Sequence, residues 1–324
     1  MTLKELLDHC GNRPKNGVPD WLLGCFRRNS IMFSNGLADT KTQVYWLQSR
    51  NFTIDIRLPT NVDLVASKPI KDYTQAELLQ LSDYEAFCAN TNWNGEMLSW
   101  QDADASLQIH NRWTEPATLK RVGNCMIEFC PSDAYIEDWR LQPSNSGALI
   151  GLRLIEEREL DSGIVRHKGG GLIVCGDYAG LALGRAEAVV KPTADTTLKA
   201  MVAKAGGNIA DLSKLFNFEA SVAHGSLEQG FNVKHSTQAN RVNEDLFPLD
   251  GFELPEPYQH KDLGNIEAIR QSLSIEGKAC ERLFYIDTIE PHICFSQSTQ
   301  CSAETEAWFM RETPTLARYT EIIS

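Results

Sequence analysis

Apolar and polar positions alternate along residues 44–59, VYWLQSRNFTIDIRLP, as they must in a half-buried strand. Phe52, Ile54, Ile56 and Leu58 fall on one face, and Thr53, Asp55 and Arg57 on the other. Val44 to Leu47 form a second β-prone run, and Ser49-Arg50-Asn51 between the two reads as a tight reversal. An antiparallel hairpin satisfies both runs. The same style recurs along most of the chain. Residues 25–33 read as a first strand, and Asn35-Gly36 as a turn. Further strands are expected at 96–100, 106–110, 119–122, 125–130, 134–141, 148–156, 172–175 and 178–183, with Gly123-Asn124 and Gly176-Asp177 as hairpin turns.

Helical signals are fewer. Residues 3–9 predict a short helix ended by Gly11, Pro14 and Gly17, and 74–81 a second, with a looser stretch around it over 60–92. Asp195 is placed to cap a helix carrying Leu198, Met201, Val202 and Ala205 on one face and stopped by Gly206-Gly207. Another helix starts at Asn208. Strands return at 216–222 and 231–236, the Pro-rich 248–257 connects, and 265–273 reads as a helix. Strands at 282–288 and 292–296 and a tail with Trp308 and Phe309 complete the chain. Many short strands separated by frequent turn signals favour a barrel or sandwich.

Composition narrows the function classes. The 324 residues hold 42% apolar and 23% charged residues, ordinary for a soluble globular protein. A net charge of −12, with no basic cluster beyond Arg27-Arg28 and His167-Lys168, argues against nucleic acid and anionic membranes as partners. The nine cysteines are scattered without a CxxC pair or a His cluster, which suggests buried hydrophobes and no metal site. The first residues lack an apolar leader core, and no run reaches bilayer length. A reduced, cytoplasmic protein is expected.

Several segments carry a resemblance: TQVYWLQSRNFTIDIRLP at 42–59, AFCANTNW at 86–93, MLSW at 97–100, CMIEFCPSDAYIEDWR at 125–140 with Glu128, Tyr135, Glu137 and Trp139, and GGLIVCGDYAGLAL at 170–183. They resemble bacterial and, more distantly, fungal lipocalin-like proteins of the calycin type, a family with no agreed activity. The resemblance covers about residues 20–185 and is weaker beyond. It implies one or two antiparallel calycin-type barrels. The fungal relatives are associated with binding a protein kinase, which implies a protein partner. Relatives usually carry a His and then an Asp in the strand after the Trp; this chain has Asp102 and Asp104, and no His until His110.

Candidate chemistry follows from the pattern. Tyr135, Glu137 and Trp139 share a strand face, so Glu137 reads as a general acid with a raised pKa, as a ligand acceptor, or as a structural carboxylate paired with Arg57 or Arg140. Trp100, Asp102, Asp104 and Ser106 share a face if their strand is unbroken; paired carboxylates there suit acid–base work, a cation, or a solvated edge. His224-Gly225-Ser226 and His235-Ser236 lack the elbow of a serine hydrolase and read as edge histidines. Gly169-Gly170-Gly171 precedes a strand and is no phosphate cradle.

The expected architecture is mainly β, an antiparallel lipocalin-like barrel over 20–184 with a few inserted helices, and a second degenerate barrel or packed α+β extension over 185–324. The expected function is non-covalent binding of a small apolar or amphipathic ligand by Trp46, Phe52, Trp100, Tyr135, Glu137 and Trp139, with no cofactor and no metal. A protein-interaction module without a ligand and an acid–base enzyme using a barrel carboxylate are the alternatives.

Overall fold

The computed structural model describes residues 1–11 and 16–321; Pro14, read above as a helix stop, lies outside the described residues. The first sheet contains β1 (Gly24–Phe33), β2 (Ala38–Asp39), β3 (Gln43–Gln48), β4 (Phe52–Leu58), β5 (Glu85–Trp93), β6 (Met97–Ser106), β7 (Ala117–Val122), β8 (Cys125–Phe129) and β9 (Tyr135–Leu141). They pair antiparallel in the order β2-β1-β3-β4-β5-β6-β7-β8-β9, and β9 returns to β1 from Phe26↔Leu141 to Phe33↔Tyr135. The result is a closed eight-stranded antiparallel barrel with β2 as a flap on β1, an arrangement compatible with a lipocalin-like fold. The reversal at Ser49 is tight: its N–H donates to the Phe52 carbonyl at 3.0 Å.

The second sheet contains β10 (Gly147–Glu159), β11 (Val165–Cys175), β12 (Tyr178–Arg185), β13 (Glu219–Ser226), β14 (Gly230–Ser236), β15 (Glu256–His260), β16 (Gly264–Ile275) and β17 (Lys278–Ile293). Its order is β14-β13-β12-β11-β10-β17-β16-β15. Strands β10 to β12, grouped with the first barrel by their sequence, thus hydrogen-bond within this second sheet. Its concave core, with Phe231, Phe252, Ile269 and Phe284, is filled by Leu3 and Leu6 of helix α1 (Leu3–Cys10). That helix starts on a capping box of Thr2 and Glu5.

The sheets meet back to face. Leu47 and Ile54 project from the outside of the barrel onto Gly180, where an added Cβ would sit 3.1 Å from Leu47 and 3.6 Å from Ile54. Phe52 lies over Gly151 and Gly171, with the Arg153 guanidinium 4.6 Å above its ring. Glycines on the second sheet therefore admit large side chains from the first. Arg50, at the hairpin tip, forms a bidentate pair with buried Glu290 of β17 at 2.6 and 3.0 Å and donates to the Val18 carbonyl at 2.8 Å.

Several local expectations are corrected. Residues 265–273 are not a helix but the middle of β16, because the ladder from Ala268↔Tyr285 to Ile275↔Lys278 outweighs a weak helical preference. The run at 282–288 and the first two residues of 292–296 belong to one strand from Lys278 to Ile293, and 294–296 lie beyond its end. Residues 107–110 leave the sheet, and the looser 60–92 contains both α2 (Gln75–Leu81) and β5. Helix α3 (Leu198–Ala205) is capped by Thr197, not Asp195; α4 (Ile209–Leu215) starts on Asn208 as expected. The tail forms α5 (Ala303–Leu316). The glycine triplet sits inside β11, where a Cβ on Gly169 or Gly170 would come 2.3 Å from the Asp104 carbonyl or 2.1 Å from the Ala182 carbonyl. No helix among the described residues is long and apolar enough to cross a membrane.

Candidate functional site

Directly opposed residues in an antiparallel ladder point to the same face, so the barrel lining follows from register. Phe26, Trp46, Asp55, Phe87 and Ser106 form one rung across five strands. Val44, Arg57 and Glu85 form the next. On the far wall Arg28, Trp139 and Met126 align, beside Ile31, Glu137 and Glu128. The polar face of the β4 alternation thus looks into the barrel, and the apolar face looks out at the second sheet.

Inside lies a cavity of about 360 Å³, lined by Trp46, Phe87, Trp100, Trp113, Tyr135 and Trp139 among rings and by Asp55, Arg57, Glu85, Glu128 and Glu137 among charged groups. Trp46 is its hub, with Trp100 and Trp139 edge-on at 5.8 and 5.4 Å. The mouth follows from a failure of pairing. Strands β6 and β7 pair only at Met97↔Thr118 and Leu98↔Ala117. Opposite Ala89, a bulge in β6 places Asp102 at a φ of 46°, and exposed Gln101, Asp102 and Ala103 rim the cavity.

The bulge also breaks the shared face expected of 100–106. Trp100, Asp102 and Ser106 line the cavity, whereas Asp104 bonds Arg153 of the second sheet at 2.6 Å. Of the ligand residues expected, Trp46, Trp100, Tyr135, Glu137 and Trp139 come together. Phe52 does not: it packs between the sheets, because its strand turns the other face inward.

Glu137 is 2% exposed and accepts a hydrogen bond from Arg28 Nη1 at 2.7 Å. Its ion-pair partner is Arg28, not Arg57 or Arg140; Arg140 bonds Asp138, and Arg57 bonds Asp55. Glu128, directly across the ladder and 3% exposed, accepts from Trp139 Nε1 at 2.9 Å. Burial, and then the neighbouring charge of Glu137, hold the Glu128 carboxyl well above the usual carboxylate range. Two opposed carboxylates in one buried wall cannot both ionise cheaply, and of the two it is Glu137 that holds the Arg28 guanidinium. Burial likewise raises Asp55 despite Arg57, and raises the Tyr135 phenol, which also faces Glu128 and Glu137. Burial lowers Arg57, but Asp55, Glu85 and Glu137 outweigh it and the guanidinium stands above its ordinary value.

One end of the barrel is closed by the irregular segment 107–116. Trp113 Nε1 donates to Glu85 at 2.7 Å, and the ring lies 4.4 Å under the Arg57 guanidinium and 5.4 Å edge-on from Tyr135. Sequence reasoning passed over Trp113, since an isolated Trp in a loop carries no periodic signal. Glu128 stood out only within the resembling segment 125–140 and Arg28 only in the basic pair Arg27-Arg28.

The remaining candidates lie elsewhere. His224 packs edge-on to Tyr178 at 5.0 Å, and His235 stacks on Tyr45 at 4.3 Å, where burial and then Arg27 push it down to about 4. Among the described residues no group of three or more His, Cys, Asp or Glu is arranged to hold a metal ion. No protein-family profile matches the chain, and neither a curated protein nor a solved structure matches it.

Proposed function

We propose that the first barrel binds a small organic molecule, largely apolar with one polar end, in the manner of a lipocalin-like carrier. The supporting observation is the cavity of about 360 Å³ lined by three indoles, Trp46, Trp100 and Trp139, together with the opposed carboxyls Glu128 and Glu137. Such a volume suits a compact ligand, and apolar walls with few convergent polar groups favour binding with a fixed orientation. Affinity comes from area removed from water, at roughly 25 cal/mol per Å² less ordering costs. The Tyr135 phenol supplies a donor to the polar end, and the Glu128 carboxyl supplies a second polar group beside it.

Native mass spectrometry of the protein isolated from its own host tests this reading; a co-purifying small molecule is the expected result. With that molecule in hand, titration followed by tryptophan fluorescence should give a dissociation constant about tenfold weaker for Trp100→Ala, since a large ring face is lost. A ligand-free protein whose fluorescence responds to no small hydrophobic compound would remove the proposal.

A second reading, acid–base catalysis, is favoured by one observation: Glu128 is buried directly across the ladder from Glu137, and that burial raises its carboxyl well above the usual range. It makes Glu128, rather than Glu137, the proton donor to a bound substrate. Glu128→Gln should then abolish turnover while leaving a hydrogen-bonding side chain in place, and unchanged kcat would end that reading.

A further inference from the structure

The lining of the cavity does not end at Trp113. The same ring also lines a second space of about 320 Å³, whose walls include Ile31, Phe33, Leu58 and Tyr84 among the charged Arg28 and Asp39. The two spaces share four residues: Arg57, Glu85, Arg112 and Trp113. Arg57 and Glu85 are ladder partners built into the barrel wall, so neither leaves without breaking the sheet. Trp113 belongs to a loop outside the sheet ladders, and its indole is held by a hydrogen bond to Glu85, by stacking on Arg57 and by an edge contact with Tyr135. On the guanidinium stacked over it, Arg57 Nη1 is buried and has no hydrogen-bond partner among the described residues. With Nε and Nη2 committed to Asp55, the guanidinium thus keeps the N–H donors of Nη1 unused beside the ring.

We infer that Trp113 is the specificity-determining partition of the barrel: it limits the ligand to the first space, and its removal joins the two and accepts a longer chain. The inference rests on the ligand-binding reading above and adds the class of ligand excluded. A longer molecule carrying an oxygen acceptor would take over Arg57 Nη1 as its tail enters the second space, so the guanidinium is not left bare when the indole leaves.

The test uses two neutral fluorescent probes with one fluorophore and one ketone, 6-propionyl- and 6-lauroyl-2-dimethylaminonaphthalene, titrated against the full chain. In the wild type the longer tail brings no gain, and the lauroyl probe binds no tighter than the propionyl one. In Trp113→Ala the ratio of dissociation constants shifts toward the lauroyl probe by ~10-fold or more, the worth of a few newly buried methylenes. Trp113→Leu, which keeps an apolar filler, shifts it in the same direction by less. A wild-type preference for the lauroyl probe overturns the partition without recourse to any variant. So does an unchanged ratio in either variant with wild-type circular dichroism and cooperative unfolding. If the propionyl probe binds and the ratio stays put, the partition alone fails; if neither probe binds any of the proteins, the ligand reading fails and takes the partition with it.

Discussion

Glu137→Gln is expected to destabilise the protein by about 3 kcal/mol, while Glu128→Gln, directly across the ladder, stabilises it at neutral and alkaline pH. The two carboxyls are nearly equally buried, at 2% and 3% exposure, so burial does not separate them. What separates them is Arg28, whose Nη1 bonds Glu137 and whose Nη2 bonds Asp39 at 2.8 Å. Neutralising Glu137 leaves a buried guanidinium with only the partly exposed Asp39 to offset it. The lower end of the range for a broken buried pair applies because that second partner survives. Neutralising Glu128 removes no cation's partner. An amide at that position still accepts the Trp139 Nε1 bond and cannot ionise.

The sign for Glu128 follows from linkage. Its carboxyl binds a proton more tightly folded than unfolded, so the stability it contributes is fully present below the unfolded value, near pH 4.3, and is lost as pH rises toward the folded value. Glu128→Gln has no such loss. Its advantage in urea midpoint should therefore grow from pH 4 to pH 8 and vanish below about pH 4. Parallel stability curves for the wild type and Glu128→Gln across that interval would show that the carboxyl is not held protonated.

Arg50→Met is the other substitution with a large expected effect, a loss of about 3 kcal/mol. Its side chain gathers Glu290, the Val18 carbonyl and Asp20 at one point, and the bidentate pair with Glu290 ties the tip of the β3–β4 hairpin to β17. Methionine matches the aliphatic stem but supplies no donor, so a buried carboxylate and a buried carbonyl lose their bonds together. Urea unfolding measures the loss. Hydrogen exchange locates it, with faster exchange expected at Val18 and Ser49 and little change within β7 and β8, which lie on the far wall. A change under 1 kcal/mol would mean that water replaces the guanidinium without penalty.

How far the chain could be read differed by kind of feature. Strands and their turns were legible wherever alternation ran for five residues or more, as at Thr53–Asp55–Arg57 and at Tyr135–Glu137–Trp139, because a strand's side chains have a period of two whatever surrounds it. Local interactions also marked the start of α4 at Asn208 and the reversal at Ser49. Strand β16 was missed since its pairing with β17 is a tertiary fact, and NIEAIRQSLSI has no strong intrinsic preference. Likewise the Trp113 loop had nothing periodic to announce it.

The candidate site shows the same division more sharply. Alternation on β4 specified two faces, one of Phe52, Ile54 and Ile56 and one of Thr53, Asp55 and Arg57, and alternation on β9 placed Glu137 between two aromatic neighbours. Period two contains no sign, however: it tells which residues share a face and not which face is the interior. Usually the apolar face is the inner one, and that expectation put Phe52 in the pocket. Here the second sheet covers the outside of the barrel with Gly151, Gly171 and Gly180, so the apolar face is buried outward and the polar face is free to line a cavity. Strand identity was thus a local property of the residues, whereas the choice of inside and outside, and with it the pairing of Glu137 with Arg28 and of Glu128 with Trp139, came from what packed against the barrel.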